Sequence, residues 1–289
     1  MRLAARRVFP VIAFTVGSCL CAFGGAGTGP QDVPEKEKSD PSRVAYTWSG
    51  DGQVIDLQWT HQGARLALLI RRGEKPGRLV VIDPAAKRVT ADMPLPVGVL
   101  PVCGDWLKGD AALLVAFRKA EDEYPLYRVS PRERVCRKVY PDIVTPYIQI
   151  FEIVCDGSSA RWAVACVGEG HPDAAIFDDG KLLHQTDVYP GGIGLVHWRE
   201  GKLFCQSTAW LEYGLTRDAR AKDSRLDPKK ADGHEEWVVY RVDPGTGTAE
   251  AVENFKPDEA VKLSSDGMFR YEAEQDGETR FTVKIFAMR

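Results

Sequence analysis

From residue 43 onward the chain alternates between runs of about five to eight apolar, β-branched and aromatic residues and short polar breaks. No window holds a 3.6-residue period over helical length, so the pattern predicts an all-β chain. The breaks carry turn chemistry. Asp-Gly pairs begin at Asp51, Asp156, Asp179, Asp232, Asp266 and Asp276, most of them between strand-like runs. Asn254 is the sole asparagine, which leaves Asp-Gly to fill turns that Asn-Gly often fills.

Set side by side, the runs repeat as strand, polar turn, strand, longer loop, strand, turn, strand. The first unit reads QVIDLQWT, HQG, ARLALLI, GRLVVID, PAAK and RVTADM over residues 53–93. Similar units span 97–139, 148–186 and 192–255, the last broken by a long polar insertion, and 259–289 holds a fifth unit of three strands. First turns fall near residues 63, 109, 158, 200 and 266, a spacing of about 42–49 residues except across the insertion. That is the length of a four-stranded propeller blade. A leftover run, RVAYTW at 43–48, precedes the first unit. It is expected to pair with the last unit, supplying a missing strand and removing an open edge.

Three sequence features accompany the repeat. S-x-D-G turns occur at Ser49-Gly50-Asp51-Gly52 and Ser264-Ser265-Asp266-Gly267, and tryptophans (Trp59, Trp106, Trp162, Trp198, Trp237) mark the first four units. Asp-Pro turns follow a third strand at Asp83-Pro84 and Asp243-Pro244. On these features residues 43–289 resemble the WD40-like and TolB-type β-propeller repeats. The expected fold is all-β, a five-bladed β-propeller of four-stranded antiparallel blades with the N-terminal strand closing the last blade. Six blades, with the insertion contributing, and a β-sandwich are the competing arrangements.

The ends change the picture of where such a domain works. Residues 1–29 have a basic start with Arg2, Arg6 and Arg7, an apolar run from Val8 to Phe23 and a small-residue tail, the plan of a secretory signal. At about 16 residues, interrupted by Pro10, Gly17 and Ser18, the run is short for a membrane span of about 20. Val16-Gly17-Ser18-Cys19 resembles a bacterial lipobox, which implies lipidation of Cys19 and a tether to a membrane surface. Cleavage near Ala22 to Ala26 with free release, and an uncleaved anchor, are the alternatives. Residues 30–42, rich in proline and alternating charge, read as a flexible linker. An extracytoplasmic location is therefore expected, with the membrane involved only through the lipid.

The formal charge is −3; without the three signal arginines 35 basic residues face 41 acidic ones, or −6, which argues against nucleic acid as a partner. Of seven cysteines, Cys19 and Cys21 sit in the signal. Cys103, Cys136, Cys155, Cys166 and Cys205 remain, with no C-x-x-C pair, so no zinc site is expected and the thiols read as small core hydrophobes. Cys155 with Cys166 is the pairing nearest in sequence should a bridge form.

Catalytic signatures are absent from the sequence: no G-x-S-x-G, H-E-x-x-H, P-loop or EF-hand loop occurs. Counting back from the first turns aligns Asp56 with Glu152, each among apolar neighbours, with His197 nearby in unit four and Cys103, Leu195 and Val261 at the corresponding places elsewhere. A carboxylate in such surroundings needs a buried partner or a function. Resemblance to five-bladed glycosidases would make Asp56 and Glu152 an acid and base pair at the propeller funnel; structural pairing is the simpler expectation. The insertion 212–236 holds seven acidic and six basic residues and is too polar for a core. Its Glu212, Tyr213, Arg217 and His234 are the candidate binding residues. A metal pair of His184 and His197 is not expected, nor is any cofactor. The expected function is a non-catalytic scaffold that binds a protein or small ligand at one propeller face, with a carbohydrate-active hydrolase as the alternative.

Overall fold

Runs that are apolar on both faces can be buried only between two layers. In the computed structural model the chain divides into two units, Met1–Ser39 and Asp40–Arg289. The described residues are 43–120, 123–140, 149–167, 172–185, 193–199, 201–208, 237–252, 264–277 and 279–288, all in the second unit. Cys19, the linker 30–42 and the insertion residues Glu212, Tyr213, Arg217 and His234 lie outside them.

The named elements are all strands. β1 (Val44–Asp51) precedes a meander of β2 (Gln53–Trp59), β3 (Leu66–Arg72), β4 (Lys75–Asp83) and β5 (Arg88–Pro94), hydrogen-bonded in that order as an antiparallel sheet. The second sheet is β6 (Leu100–Trp106), β7 (Leu113–Arg118), β8 (Leu126–Ser130) and β9 (Val135–Tyr140). The third is β10 (Gln149–Cys155), β11 (Arg161–Val167), β12 (Pro172–Asp178) and β13 (Lys181–Gln185). β14 (Ile193–Arg199), β15 (Lys202–Thr208), β16 (Trp237–Val242) and β17 (Ala249–Val252) form the fourth. β18 (Phe269–Asp276) and β19 (Arg280–Ala287) follow. The four units read from the sequence are thus four sheets with the expected strand order.

The second strand of each sheet explains the continuous apolar runs. Along β3, Leu66, Leu68 and Ile70 face one core, which they share with Phe281, Val283 and Ile285 of β19. Ala67 and Leu69 face another, shared with Leu113, Val115 and Phe117 of β7. β7 turns Leu114 and Ala116 the other way, toward Trp162, Val164 and Cys166 of β11. β11 in turn presents Ala163 and Ala165 to Leu203 and Cys205 of β15. The strand period of two divides each run between neighbouring cores, and each fully buried Leu or Ile contributes about 1.5–3 kcal/mol. Trp59 and Trp162, two of the tryptophans that mark the units, lie in two of these cores; the side chain of Trp237 lies outside the described residues.

The leftover N-terminal run is β1, and it pairs antiparallel with β19 from Val44↔Phe286 to Asp51↔Arg280. The sheet reads β1-β19-β18. Of the expected innermost strand of this unit, EAVKLSS, residues 259–263 lie outside the described residues. Trp48 of β1 packs its ring 5.3 Å from that of Phe281, and Tyr46 joins the same core. Both Asp-Pro turns form where predicted: Asp83 Oδ1 accepts from Ala86 N at 2.9 Å, and Asp243 Oδ1 from Gly245 N at 2.8 Å. The five cysteines of this unit are free thiols, four of them buried and Cys136 half-buried.

Candidate functional site

The first strand of each four-stranded sheet carries one bulge. Ile55, Val102, Phe151 and Val196 are skipped in the ladders, and the residues that follow resume pairing as Asp56↔Leu69, Cys103↔Ala116, Glu152↔Ala165 and His197↔Phe204. A bulge re-aims the side chains beside it. The alignment of Asp56, Cys103 and Glu152 made by counting from the turns therefore stands. For the fourth sheet it does not: the equivalent residue is His197, with Leu195 on the other side of the bulge. Val261 lies outside the described residues.

Asp56 stitches two sheets together. Its Oδ1 accepts from Leu57 N at 2.8 Å and from Gln58 Nε2 at 3.1 Å, while Oδ2 accepts from Gly104 N of the next sheet at 2.9 Å. Burial pushes its carboxyl up to about 6, against the pull of those three donors toward the ionised form. Asp105, which the sequence reading passed over, repeats the device one sheet on. Its Oδ1 accepts from Trp106 N at 2.7 Å and its Oδ2 from Cys155 N of the third sheet at 2.7 Å. Only 6% exposed, it too is pushed up to about 6 by burial, with nearby His61 and the two amides opposing.

Indole donors reinforce these joints. Trp106 Nε1 donates to Gln58 O at 3.1 Å and Trp198 Nε1 to Val154 O at 3.2 Å, each reaching the preceding sheet. His61, in the β2–β3 turn, lies 2.6 Å from Trp106 O through Nε2, and since a carbonyl only accepts, Nε2 carries the proton. The same nitrogen is 3.8 Å from Asp105 Oδ2. His61 N and Gln62 N donate to the two oxygens of Asp110 at 2.9 and 2.7 Å, and Arg65 Nη2 donates to Asp110 O at 3.0 Å. Asp110 holds φ at 54°, a left-handed conformation stabilised by these bonds.

Of the two acids singled out from sequence, Asp56 has both oxygens engaged by main-chain amides. Glu152 is half-buried at the equivalent register position. Both lie close enough to Cys103 that their charges help burial hold its thiol well above the usual range. The structure thus sets Cys103 between the fields of the two acids and joins the sheets through Asp56 and Asp105. Asp105 was legible only through its neighbour: a glycine inside a strand, Gly104, marks a close backbone approach. A Cβ at Gly104 would sit 2.8 Å from Leu114 O and 3.0 Å from Val115 Cγ2. Gly104→Ala is expected to cost about 1–3 kcal/mol in urea unfolding by overpacking and by displacing the amide that holds Asp56; a change below about 0.5 kcal/mol would show that the joint tolerates displacement.

The raised carboxyls set the pH dependence. In the unfolded chain Asp56 and Asp105 lose their protons near 3.8, in the native state near 6. Between those values the native state binds more protons, so stability falls as pH rises from about 4 through 6 and then levels. Asp92, held low by Arg78, acts in the opposite sense, its contribution being lost as pH falls below about 4. Urea midpoints are expected to be higher at pH 5 than at pH 7.5, with the difference reduced in Asp56→Asn. Equal midpoints in the unsubstituted chain would contradict this.

No protein-family model matches the chain, and no curated protein sequence matches it. Solved structures do. A chain in the crystal structure of the mitotic checkpoint complex is 10% identical with a TM-score of 0.51, the match covering 91% of this chain and 100% of that one. TolB from Acinetobacter baumannii is 13% identical at a TM-score of 0.45, with 81% of this chain and 54% of that chain covered. A prolyl endopeptidase is 12% identical at 0.45, with 75% and 28% covered. The chain spans less than a third of the prolyl endopeptidase and of a puromycin hydrolase, which it covers to 31%. Likeness at these identities concerns the fold alone, and the fold is that of a β-propeller, its four-stranded antiparallel sheets being the blades.

Proposed function

We propose that the chain is an exported five-bladed β-propeller, tethered through a lipidated Cys19, that serves as a non-catalytic scaffold for a protein partner. The observation that carries this is the occupation of the inner-strand carboxylates: both oxygens of Asp56 and both of Asp105 accept main-chain N–H groups of two blades. Such acids hold a rigid frame and leave recognition to its loops. In each four-stranded sheet the second and third strands are antiparallel neighbours, so the end of the second and the start of the third lie at the same end of that sheet. Thr208 ends β15, and residues 209–236 follow it in the sequence.

The test compares capture of envelope proteins by the full chain and by a variant lacking residues 212–236. Loss of a partner with the deletion, and retention in Asp56→Asn and Glu152→Gln, is the expected result. Unchanged affinity for every partner after the deletion would remove this reading, and hydrolysis of a glycan that both acid variants abolish would replace it with the acid and base chemistry. Labelling with a fatty acid, expected in the full chain and lost in Cys19→Ser, checks the tether separately.

A further inference from the structure

The ends of two second strands carry arginines whose surroundings differ from those of the other cations beside them. Arg71 pairs with Gln53 and Arg118 with Leu100, each one step before Val54↔Ile70 and Pro101↔Phe117. They therefore occupy the same position on the second strands of adjacent blades. Arg72 donates to Asp51 at 2.7 Å, Arg78 grips Asp92 and lies 3.8 Å from Asp51, and Lys119 binds Glu123 at 3.0 Å. Arg71 by contrast makes one side-chain bond, from Nη2 to the main-chain Pro101 O at 3.4 Å, and its buried Nε has no acceptor. Arg118 is exposed, and among the described residues no carboxylate contacts either guanidinium. Arg72 Nε and Arg270 Nε also lack acceptors, but both of those guanidiniums hold a carboxylate through Nη2.

Arg71 Nη2 reaches Pro101 O on the next sheet, one residue from Leu100, which pairs with Arg118, so the two arginines adjoin across the sheets; burial, and after it the charge of Arg118, lowers the proton affinity of Arg71. A half-buried cation with an unfilled donor beside a second, exposed cation is unfavourable unless an anion offsets their charge. Guanidinium forks match planar carboxylates and phosphate oxygens in two-bond geometry. We propose that Arg71 and Arg118 form a binding site for an oxyanion, a carboxylate or phosphate group carried by the partner or ligand engaged at these strand ends. The proposal rests on the scaffold reading only for what carries the anion.

The test titrates the full chain with inorganic phosphate and, separately, with acetate, at constant ionic strength with chloride as the reference. Amide resonances of Arg71, Leu100 and Arg118 report binding, and the melting temperature reports linkage. Saturable shifts are expected with at least one of the two anions, and which one binds identifies the oxyanion. Arg71→Gln and Arg118→Gln should each weaken binding about tenfold or more. Arg71→Lys, which keeps the charge without the fork, should weaken it less and controls for folding. No saturable shift, or the same shift in the glutamine variants, overturns the site. Binding that emerges only after removal of 209–236 would assign the arginines to acids of that segment and overturn an external ligand. Anion binding together with partner capture indifferent to 212–236 would keep this site and remove only the scaffold reading.

Discussion

Asp105→Ala is expected to lower the stability of the propeller by about 2–5 kcal/mol, most at pH 5. The substitution leaves Trp106 N and Cys155 N buried without acceptors, and each orphaned donor costs about 1–3 kcal/mol. Above pH 6 part of the loss is offset, because the variant no longer buries an ionised carboxylate whose burial the native fold resists. Against a total of about 5–15 kcal/mol for a typical domain the loss is large. Calorimetry should show a melting temperature lower by about 5–15 °C. Asp105→Asn keeps one acceptor and turns a donor toward the second amide, so it should lie between alanine and the unsubstituted chain. A melting temperature in Asp105→Ala within about 1 °C of the unsubstituted chain would mean that other groups satisfy both amides.

Removal of β1 is the second large effect. Without residues 43–51, β19 loses its ladder from Phe286 to Arg280, and the ring of Phe281 loses Trp48. Asp51 also leaves Arg72 and Arg78, the second of which lies over the Trp48 ring at 5.7 Å. An apolar strand with an open edge is a template for other chains. The truncated protein is expected to aggregate on expression or to remain monomeric only in an expanded state, as size-exclusion chromatography would show. A peptide of residues 43–51 added in trans should restore solubility in part. If the truncated chain were monomeric with an unaltered melting temperature, β1 would be a passive addition.

How far the sequence led is best seen residue by residue. The alternation of apolar runs and Asp-Gly or Asp-Pro turns located the blades because each turn is set by local chemistry, such as Asp83 accepting from Ala86 N. The place of β1 was legible from arithmetic, one strand over at one end and one short at the other. Register was not. The bulges at Ile55, Val102, Phe151 and Val196 shift the pairing, and the fourth hairpin closes between Arg199 and Lys202 where the first three close across 60–65, 107–112 and 156–161. Counting from its turn consequently reached Leu195 when the equivalent residue is His197. Asp105 escaped notice because its acceptor role depends on Cys155 N, fifty positions along the chain, a pairing no local pattern encodes.

The pairing of β1 with β19 also fixes an order in time. At about 5–20 residues per second a ribosome takes on the order of 10–50 seconds to pass from the segment that forms β1 to the one that forms β19. Throughout that interval the first strand has no mate, so the joint between β1 and β19 cannot form before β19 has been made. Loop closure over such a separation is slow, as for other folds dominated by distant contacts. The sheet begun by the first described strand is thus the one completed by the last of them.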